Sequence, residues 1–316
     1  MNLKKYMRYL GNKGVIVDQI IEEIKTRVSD KAKVLDCFGG TGCVTKALCE
    51  NFDSVDVCDV NYYAYVLCYS RCLKRDDVHI DDHVVHLNSM DPITGMITKL
   101  YSPHGNRKYF TTENAMKIDA IRTELNSMHV KNMVTDDEHI LLLGNLIESV
   151  SRYSNIPGTY GAFNETWDPR SLKPFTLKSH IELQNNTRGV AYHTDARTRL
   201  DTEYDVIYMD PPYNQRNYAS YYHVLESIAK YDDTIKIKDN KTGTPVSVQS
   251  SAWCSKTKCL NELKYFLSTC KAKVIVMSYN NEGIIPEDDL LDAYRKVGTY
   301  TCIEIDHKRF TCNGKG

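Results

Sequence analysis

The chain has 316 residues, 42% of them hydrophobic and 26% charged, with 40 Lys and Arg against 41 Asp and Glu for a formal charge of -1. That composition excludes a disordered, collagen-like or coiled-coil protein and confines any nucleic-acid surface to a local patch balanced by acid elsewhere. The length fits roughly two domains, or one α/β domain with a large insertion. The longest apolar runs, at 139–144 and 273–277, fall far below the ~20 residues needed to cross a bilayer. Lys4, Lys5 and Arg8 resemble the basic start of a signal peptide, but Gly11, Asn12, Lys13 and Gly14 stand where its apolar region should follow. An intracellular protein with no membrane association is expected. Eleven cysteines, an odd number, are too few and too scattered for a disulfide scaffold and read as reduced thiols, mostly in the core. Cys68, Cys72, His79 and His83 imitate a zinc-ligand order, but the gap between the pairs is too short for a finger. No metal is expected, and Cys68 and Cys72 read as one core-facing helix stripe.

In chain order, apolar residues at Val17, Ile20, Ile21, Ile24 and Val28 carry a helical period over 15–28. Lys33-Val34-Leu35-Asp36 predicts a short strand that runs through Cys37-Phe38-Gly39-Gly40-Thr41-Gly42 into a second helix. A second strand is expected over 54–60 with Asp59 at its carboxyl end, followed by a helix over 62–73. Residues 74 to about 188 break the alternation: polar stretches surround helical patterns at 113–128 and 138–153, and the glycines and prolines of 155–178 predict an ordered loop or extended segment. The alternation resumes with strands at 189–193 and 205–209, the latter ending in Asp210-Pro211-Pro212-Tyr213. A helix over 221–231 and strands over 273–278 and 300–305 complete the pattern. The predicted class is therefore α/β and Rossmann-like, divided as 1–75 and 189–316 around a mainly helical insertion at 76–188.

A strand ending in Asp36 before a turn containing Gly39, Gly40 and Gly42 suits a ligand at the carboxyl edge of a parallel sheet, because small residues permit close backbone approach. Asp59, roughly 20 residues beyond Asp36, stands where an acid accepts hydrogen bonds from both hydroxyls of a ribose. The pair points to an adenosine-containing cofactor without saying which. In Asp210-Pro211-Pro212-Tyr213 two prolines remove two backbone donors and stiffen the chain just past a strand. The Asp210 carboxylate and the Pro211 carbonyl are then fixed acceptors beside an aromatic face, an arrangement suited to an amino group on a flat ring stacked on Tyr213.

The order Tyr9-Leu10-Gly11-Asn12-Lys13, then Asp36 to Gly42, then Asp59, then Asp210-Pro-Pro-Tyr213 resembles the Dam-like class of DNA adenine-N6 methyltransferases. Asn214-Gln-Arg-Asn-Tyr218, Tyr222-His-Val-Leu-Glu226 and Ser278-Tyr-Asn-Asn-Glu-Gly283 resemble a subgroup found in restriction-modification systems. The resemblance covers nearly the whole chain. It implies S-adenosyl-L-methionine as methyl donor and the exocyclic amine of adenine in a short double-stranded DNA sequence as acceptor. By position, Tyr9, Gly11 and Lys13 match the motif that closes over the methionine part of the cofactor, and Phe38, Gly40 and Gly42 match its glycine loop. Asp36 and Asp59 join the cofactor set, Asp59 as the ribose acid, and His193-Thr194-Asp195 matches the segment whose acid binds the cofactor's adenine. Asp210, Pro211, Pro212 and Tyr213 match the catalytic motif, with Asp210 also facing the cofactor.

The resemblance further implies that the insertion reads the DNA sequence and that the target base is flipped out. Lys74, Arg75, Arg107, Lys108, Arg152, Arg170, Lys173 and Lys178 are candidate phosphate contacts. The sequence has no Pro-Cys pair of the kind that supplies the nucleophile in carbon-5 cytosine methyltransferases. A monomer that works independently of any cognate restriction endonuclease is expected. The alternatives are an inactive or truncated cofactor-binding protein that binds DNA, or transfer to cytosine N4 or RNA. Members of this class return with a further antiparallel strand, and residues 310–316 carry no apolar run to supply one, so an open sheet edge is expected.

Overall fold

The computed structural model describes residues 13–185 and 189–305. Five parallel strands, β1 (Lys33–Asp36), β2 (Ser54–Asp59), β3 (Val190–His193), β4 (Glu203–Met209) and β5 (Lys271–Met277), form one sheet in the order β3-β2-β1-β4-β5. The α/β, Rossmann-like expectation holds. Successive residues face opposite sides: Val34 and Val206 enter the core under α1 (Val17–Lys25) and α2 (Cys43–Asn51), while Leu35 and Ile207 enter the core on the other side of the sheet. All four are fully buried, which explains why the central strands read as unbroken apolar runs rather than as alternating ones. The chain winds outward from β1 through β2 to β3 and then returns to place β4 on the other flank of β1. The strand order therefore reverses between β1 and β4, the place where open α/β sheets bind ligands beyond their carboxyl ends.

Residues 73–189 leave the sheet after α3 (Tyr62–Cys72) and contain α4 (Asp81–Ser89), α5 (Met96–Tyr101), α6 (Thr112–Val130) and α7 (Asp136–Tyr153). The side chain of Thr111 caps α6, and Thr135 with Glu138 forms a reciprocal capping box at the start of α7. Their apolar faces join Tyr63, Val66 and Leu67 of α3 and Val224, Leu225 and Ile228 of α9 (His223–Lys230) in one buried cluster. Among the described residues, the return segment carries no regular secondary structure between Ser154 and Val190 except an isolated bridge from Gln184 to Lys74. Three asparagines order it. The Asn114 amide binds Ser171, Lys173 and Phe175, Asn88 binds both backbone groups of Leu177, and Asn145 accepts from His180 and Ile181. Each side-chain amide replaces the peptide partner that a sheet would have supplied.

The short turn α8 (Tyr218–Tyr221) precedes α9, and α10 (Cys259–Thr269) and α11 (Glu287–Arg295) cover the sheet's second face. The strand expected at 300–305 is not formed. The Tyr300 hydroxyl accepts from the Arg295 guanidinium, 2.9 Å from its Nη2, and residues 300–305 lie exposed, without the partner and buried face a strand requires. Among the described residues β3 and β5 are the sheet edges. Among these residues no helix is long and apolar enough to cross a membrane.

Candidate active site

The glycine turn after β1 is built to bring backbone close to a ligand. Gly40 and Gly42 have φ of 56° and 73°, a region costly for side chains, and a Cβ on Gly42 would lie 2.8 Å from Cδ of Arg71. Gly42 starts α2 without a side-chain cap, and α2 points its amino end toward the carboxyl edge of the sheet. Phe38 and Gly40 from this turn, Asp59 from the end of β2, and Thr194 and Asp195 from just beyond β3 line one cavity of about 480 Å3. Lys13 and the run Asp210, Pro211, Pro212 and Tyr213 line the same cavity from the β4 side. Asp36 lies buried behind the turn, 1% exposed. The structure thus gathers most of the described sequence-predicted residues around one space, but Gly42, like Asp36, does not line it and packs toward Arg71 and Cys68 instead; Tyr9 and Gly11 lie outside the described residues.

The three strand-end acids are held differently. Asp36 accepts from the Thr45 hydroxyl at 2.7 Å and from the Phe38 N–H at 3.2 Å. Burial pushes its carboxyl up to about 7, and the charges of Asp210 and Asp59 add to the rise. Asp59 accepts from the N–H of Gly40 at 2.9 Å through Oδ2, and from the backbone and side chain of Asn61 at 2.8 and 3.1 Å through Oδ1. Its carboxyl is also raised by burial, which these hydrogen bonds only partly offset. Of roughly four lone-pair directions on a carboxylate, about one remains on Oδ2 for an incoming hydroxyl. Asp210 is 18% exposed in its side chain and pairs through Oδ1 with Lys13 Nζ at 2.7 Å. Burial raises its pKa, and the Lys13 ammonium offsets that rise only in part. Asp195 accepts from the N–H of Arg197 at 2.9 Å, which fixes the turn after β3 at the cavity wall.

Sequence reasoning passed over one wall of this cavity. Residues 249–255 cross its mouth, tied to the Asp210 loop by Asn217 Nδ2 donating to the Gln249 carbonyl at 2.8 Å and by the Cys254 thiol donating to the Arg216 carbonyl at 3.3 Å. Trp253, 5% exposed, meets the Phe38 ring edge-on at 5.5 Å and Phe266 at 5.3 Å. Arg197 at the cavity edge is held by a two-point ion pair with Glu262, with Nε 2.7 Å from Oε1. A lone Trp in a polar stretch offers no periodicity or spacing from which this role could be read.

Several expected phosphate contacts are otherwise engaged. Arg107, 9% exposed, donates to the carbonyls of Leu100, Gly105 and Asn240. Lys108 donates to the Glu165 carbonyl, and Arg170 pairs with Asp168 at 2.8 Å. Arg75 and Arg152 line a separate groove of about 1200 Å3 beside the carboxyl end of α3, toward the amino edge of the sheet. Cys68 and Cys72 are buried along α3, Cys68 within 3.9 Å of the Thr45 hydroxyl and Cys72 beside Cys49, so the stripe faces the core.

Residues 9–292 match the profile of the D12 class N6 adenine-specific DNA methyltransferases. The chain belongs to this family. It is 31% identical to the type II methyltransferase M.FokI of Planomicrobium okeanokoites and 30% identical to the modification methylase StsI of Streptococcus sanguinis. These matches cover 98% and 95% of the chain but only 50% and 48% of the two relatives, so the chain spans about half their length. Against the type II methyltransferase M.NlaIII of Neisseria lactamica it is 30% identical over 96% of the chain and 92% of the relative. For a D12-class chain, the placement of Asp210 beside the glycine turn is the geometric feature on which a chemical reading rests.

Proposed function

We propose that this protein transfers a methyl group from S-adenosyl-L-methionine to N6 of adenine in a short sequence of double-stranded DNA, as a modification enzyme acting independently of any restriction partner. The observation that carries this reading is the junction, in one cavity, of the Asp210-Pro-Pro-Tyr213 run with the glycine turn and Asp59. A volume of about 480 Å3 suits a ligand of nucleoside size or somewhat larger. The cluster of acids is compatible with a cation: the Asp36 carboxyl meets repulsion from the charges of Asp210 and Asp59, which a positive ligand relieves.

In this reading the glycine turn and Phe38 receive the cofactor, Asp59 takes a ribose hydroxyl on its remaining Oδ2 lone pair, and Thr194 and Asp195 border its base. S-adenosylmethionine, when bound, supplies a methyl already activated as a sulfonium, so no covalent enzyme intermediate is needed. The rest of the task is orientation and charge stabilisation. Lys13 engages Asp210 Oδ1, which leaves Oδ2 and the Pro211 carbonyl to accept the two hydrogens of the amine. Stacking on Tyr213 would hold the base with its amine at Asp210, whose carboxylate would stabilise the positive charge that develops on nitrogen until one amine hydrogen leaves as a proton to solvent. A base within a duplex cannot enter the cavity, so the adenine is flipped out. The insertion at 76–188 supplies sequence recognition. The test is transfer of labelled methyl to duplex DNA followed by nucleoside analysis. N6-methyladenine at one recurring sequence is expected, and absence of label in DNA, or label in N4-methylcytosine, would overturn the reading.

A further inference from the structure

Helix α3 begins immediately after Asp59 and Asn61, and Asn61, which stands in the capping position, does not cap it. The Asn61 side chain is turned back onto Asp59 Oδ1 instead. The first N–H groups of α3 are satisfied from far along the chain: Tyr62 N donates to Glu226 Oε1 at 3.2 Å and Tyr63 N donates to Glu226 Oε2 at 2.9 Å. Glu226 lies on α9, just beyond the catalytic loop, in the Tyr222-His-Val-Leu-Glu226 run that the chemistry above leaves unused. Its carboxylate is 19% exposed and is fixed by Lys230, one turn later, at 2.8 Å. Tyr63 is fully buried, so no water replaces this acceptor, and a negative charge at a helix amino terminus also meets the positive end of the helix dipole.

We propose that Glu226 is a positioning residue for the cofactor: by capping α3 from α9 it fixes Asn61, and through Asn61 the direction of the Asp59 carboxylate. The chain of contacts is short. Glu226 holds the first turn of α3, that turn places Asn61, and Asn61 holds Oδ1 of Asp59 by two hydrogen bonds while Gly40 holds Oδ2. The capping bond thereby joins the elements that carry the two halves of the site. It links the helix behind the Asp210 loop to the strand end that offers Asp59. The titratable groups facing Asp59 are Asp36 on β1, Cys58 on its own strand, Cys68 on α3 and Glu226 on α9, and the Glu226 charge works against ionisation of Asp59. The cation balancing Glu226 itself is Lys230, with Arg122 of α6 acting on the neighbouring Tyr62.

The inference rests on the cofactor reading above, and its test contains measurements that do not depend on it. Amide exchange at Tyr62 and Tyr63, the carboxyl titration of Asp59 by NMR, binding of S-adenosylmethionine without DNA, and turnover at saturating cofactor are compared in the parent, Glu226→Ala and Glu226→Gln. Loss of a cap predicts exchange at both amides faster by roughly tenfold and cofactor affinity weaker by roughly tenfold in Glu226→Ala, with turnover at saturation changed by less than about twofold. Glu226→Gln keeps one acceptor and should recover most of the affinity, while the Asp59 titration and the acidic limb of cofactor binding move to lower pH because the neighbouring charge is gone. A role confined to overall stability would lower the melting temperature without moving that limb. Unchanged exchange and affinity in Glu226→Ala, or an unmoved Asp59 titration in Glu226→Gln, would overturn the proposal. If the parent itself binds no S-adenosylmethionine, the functional reading fails, and the exchange and titration still decide whether Glu226 positions Asp59.

Discussion

Three carboxylates at the ends of adjacent strands carry opposite obligations, and single substitutions separate them. Asp36 has an ordinary value of 3.8 and is raised to about 7 in the fold, chiefly by burial. A group raised in this way binds its proton more tightly when folded. Its contribution to stability is therefore complete below about pH 4, declines as pH rises toward 7, and is absent above that. Asp36→Asn keeps the acceptor for the Phe38 N–H and removes the charge, so its melting temperature should gain on the parent's from about pH 4 to pH 7 and level off above that, with ~4 kcal/mol as an upper bound. A constant difference across that range would contradict the assignment. Asp59→Ala should weaken cofactor binding by roughly 1.5 to 3 kcal/mol, the value of a hydrogen bond to a charged group, as read by calorimetry. Asp210→Ala should instead lower single-turnover methyl transfer on cognate DNA by roughly 100-fold or more while leaving cofactor affinity closer to normal. Near-normal turnover in Asp210→Ala would exclude its assigned role. Asp36 and Asp210 were legible because each ends a strand next to a glycine or proline run, and Asp59 because it ends the next strand roughly 20 residues after Asp36. The pairing of Asp210 with Lys13 was not, because nothing in two separated motifs states that their side chains meet.

Elements were legible in proportion to the periodicity that burial imposes on them. β1 is found at the residues expected, and β2, α3, α6 and α7 lie within two or three residues of the expected bounds, since each buries a face continuous enough to pattern the sequence. The short helices α4 and α5 lack that signal, and the return segment is ordered by asparagine side chains whose partners lie far away in sequence. The strand at 300–305 fails for a related reason: Tyr300, Thr301, Ile303 and Ile305 are strand-forming residue types, but the stretch has no clean alternation and stays exposed instead of pairing with a sheet edge. The wall at 249–255 makes the element-scale prediction. Trp253 packs edge-on against Phe38 and Phe266, which themselves stack at 6.3 Å, so Trp253→Ala leaves a cavity costing ~3 to 5 kcal/mol, and loss of one of its two aromatic neighbours should let the Phe38 ring loosen the cofactor side of the site. Chemical denaturation and cofactor titration should both register the change. Intact affinity with reduced stability would show that the wall supports the fold without shaping the site.

At the scale of the molecule, one buried cluster joins α3, α9 and the helices of the insertion, so the segment proposed to read DNA is packed against both halves of the site. A substitution in that segment can therefore act through stability or through DNA, and the two must be separated before any basic residue is counted as a phosphate contact. Arg107 and Arg216 provide the contrast. Arg107 is spent inside the protein: it is 9% exposed, donates to three carbonyls, and lies under Gly243, whose added Cβ would fall 2.4 Å from its Nε. Arg216 follows the catalytic run and is exposed, its guanidinium resting 5.8 Å from the centre of the Tyr221 ring. That contact restrains the cation at the rim of the cavity while leaving its charge in solvent, where a phosphate next to a flipped base would lie. Arg216→Gln should thus lower the slope of log affinity against log salt by about one, equally for cognate and unrelated duplexes, with the melting temperature unchanged. Arg107→Gln should do the reverse, costing roughly 2 to 4 kcal/mol of stability because buried carbonyls lose a charged donor, and leaving the salt slope of the folded protein as it was. A reduced slope in Arg107→Gln with unaltered stability would mean that the cation faces DNA in the complex, and that the insertion moves against the sheet when it binds.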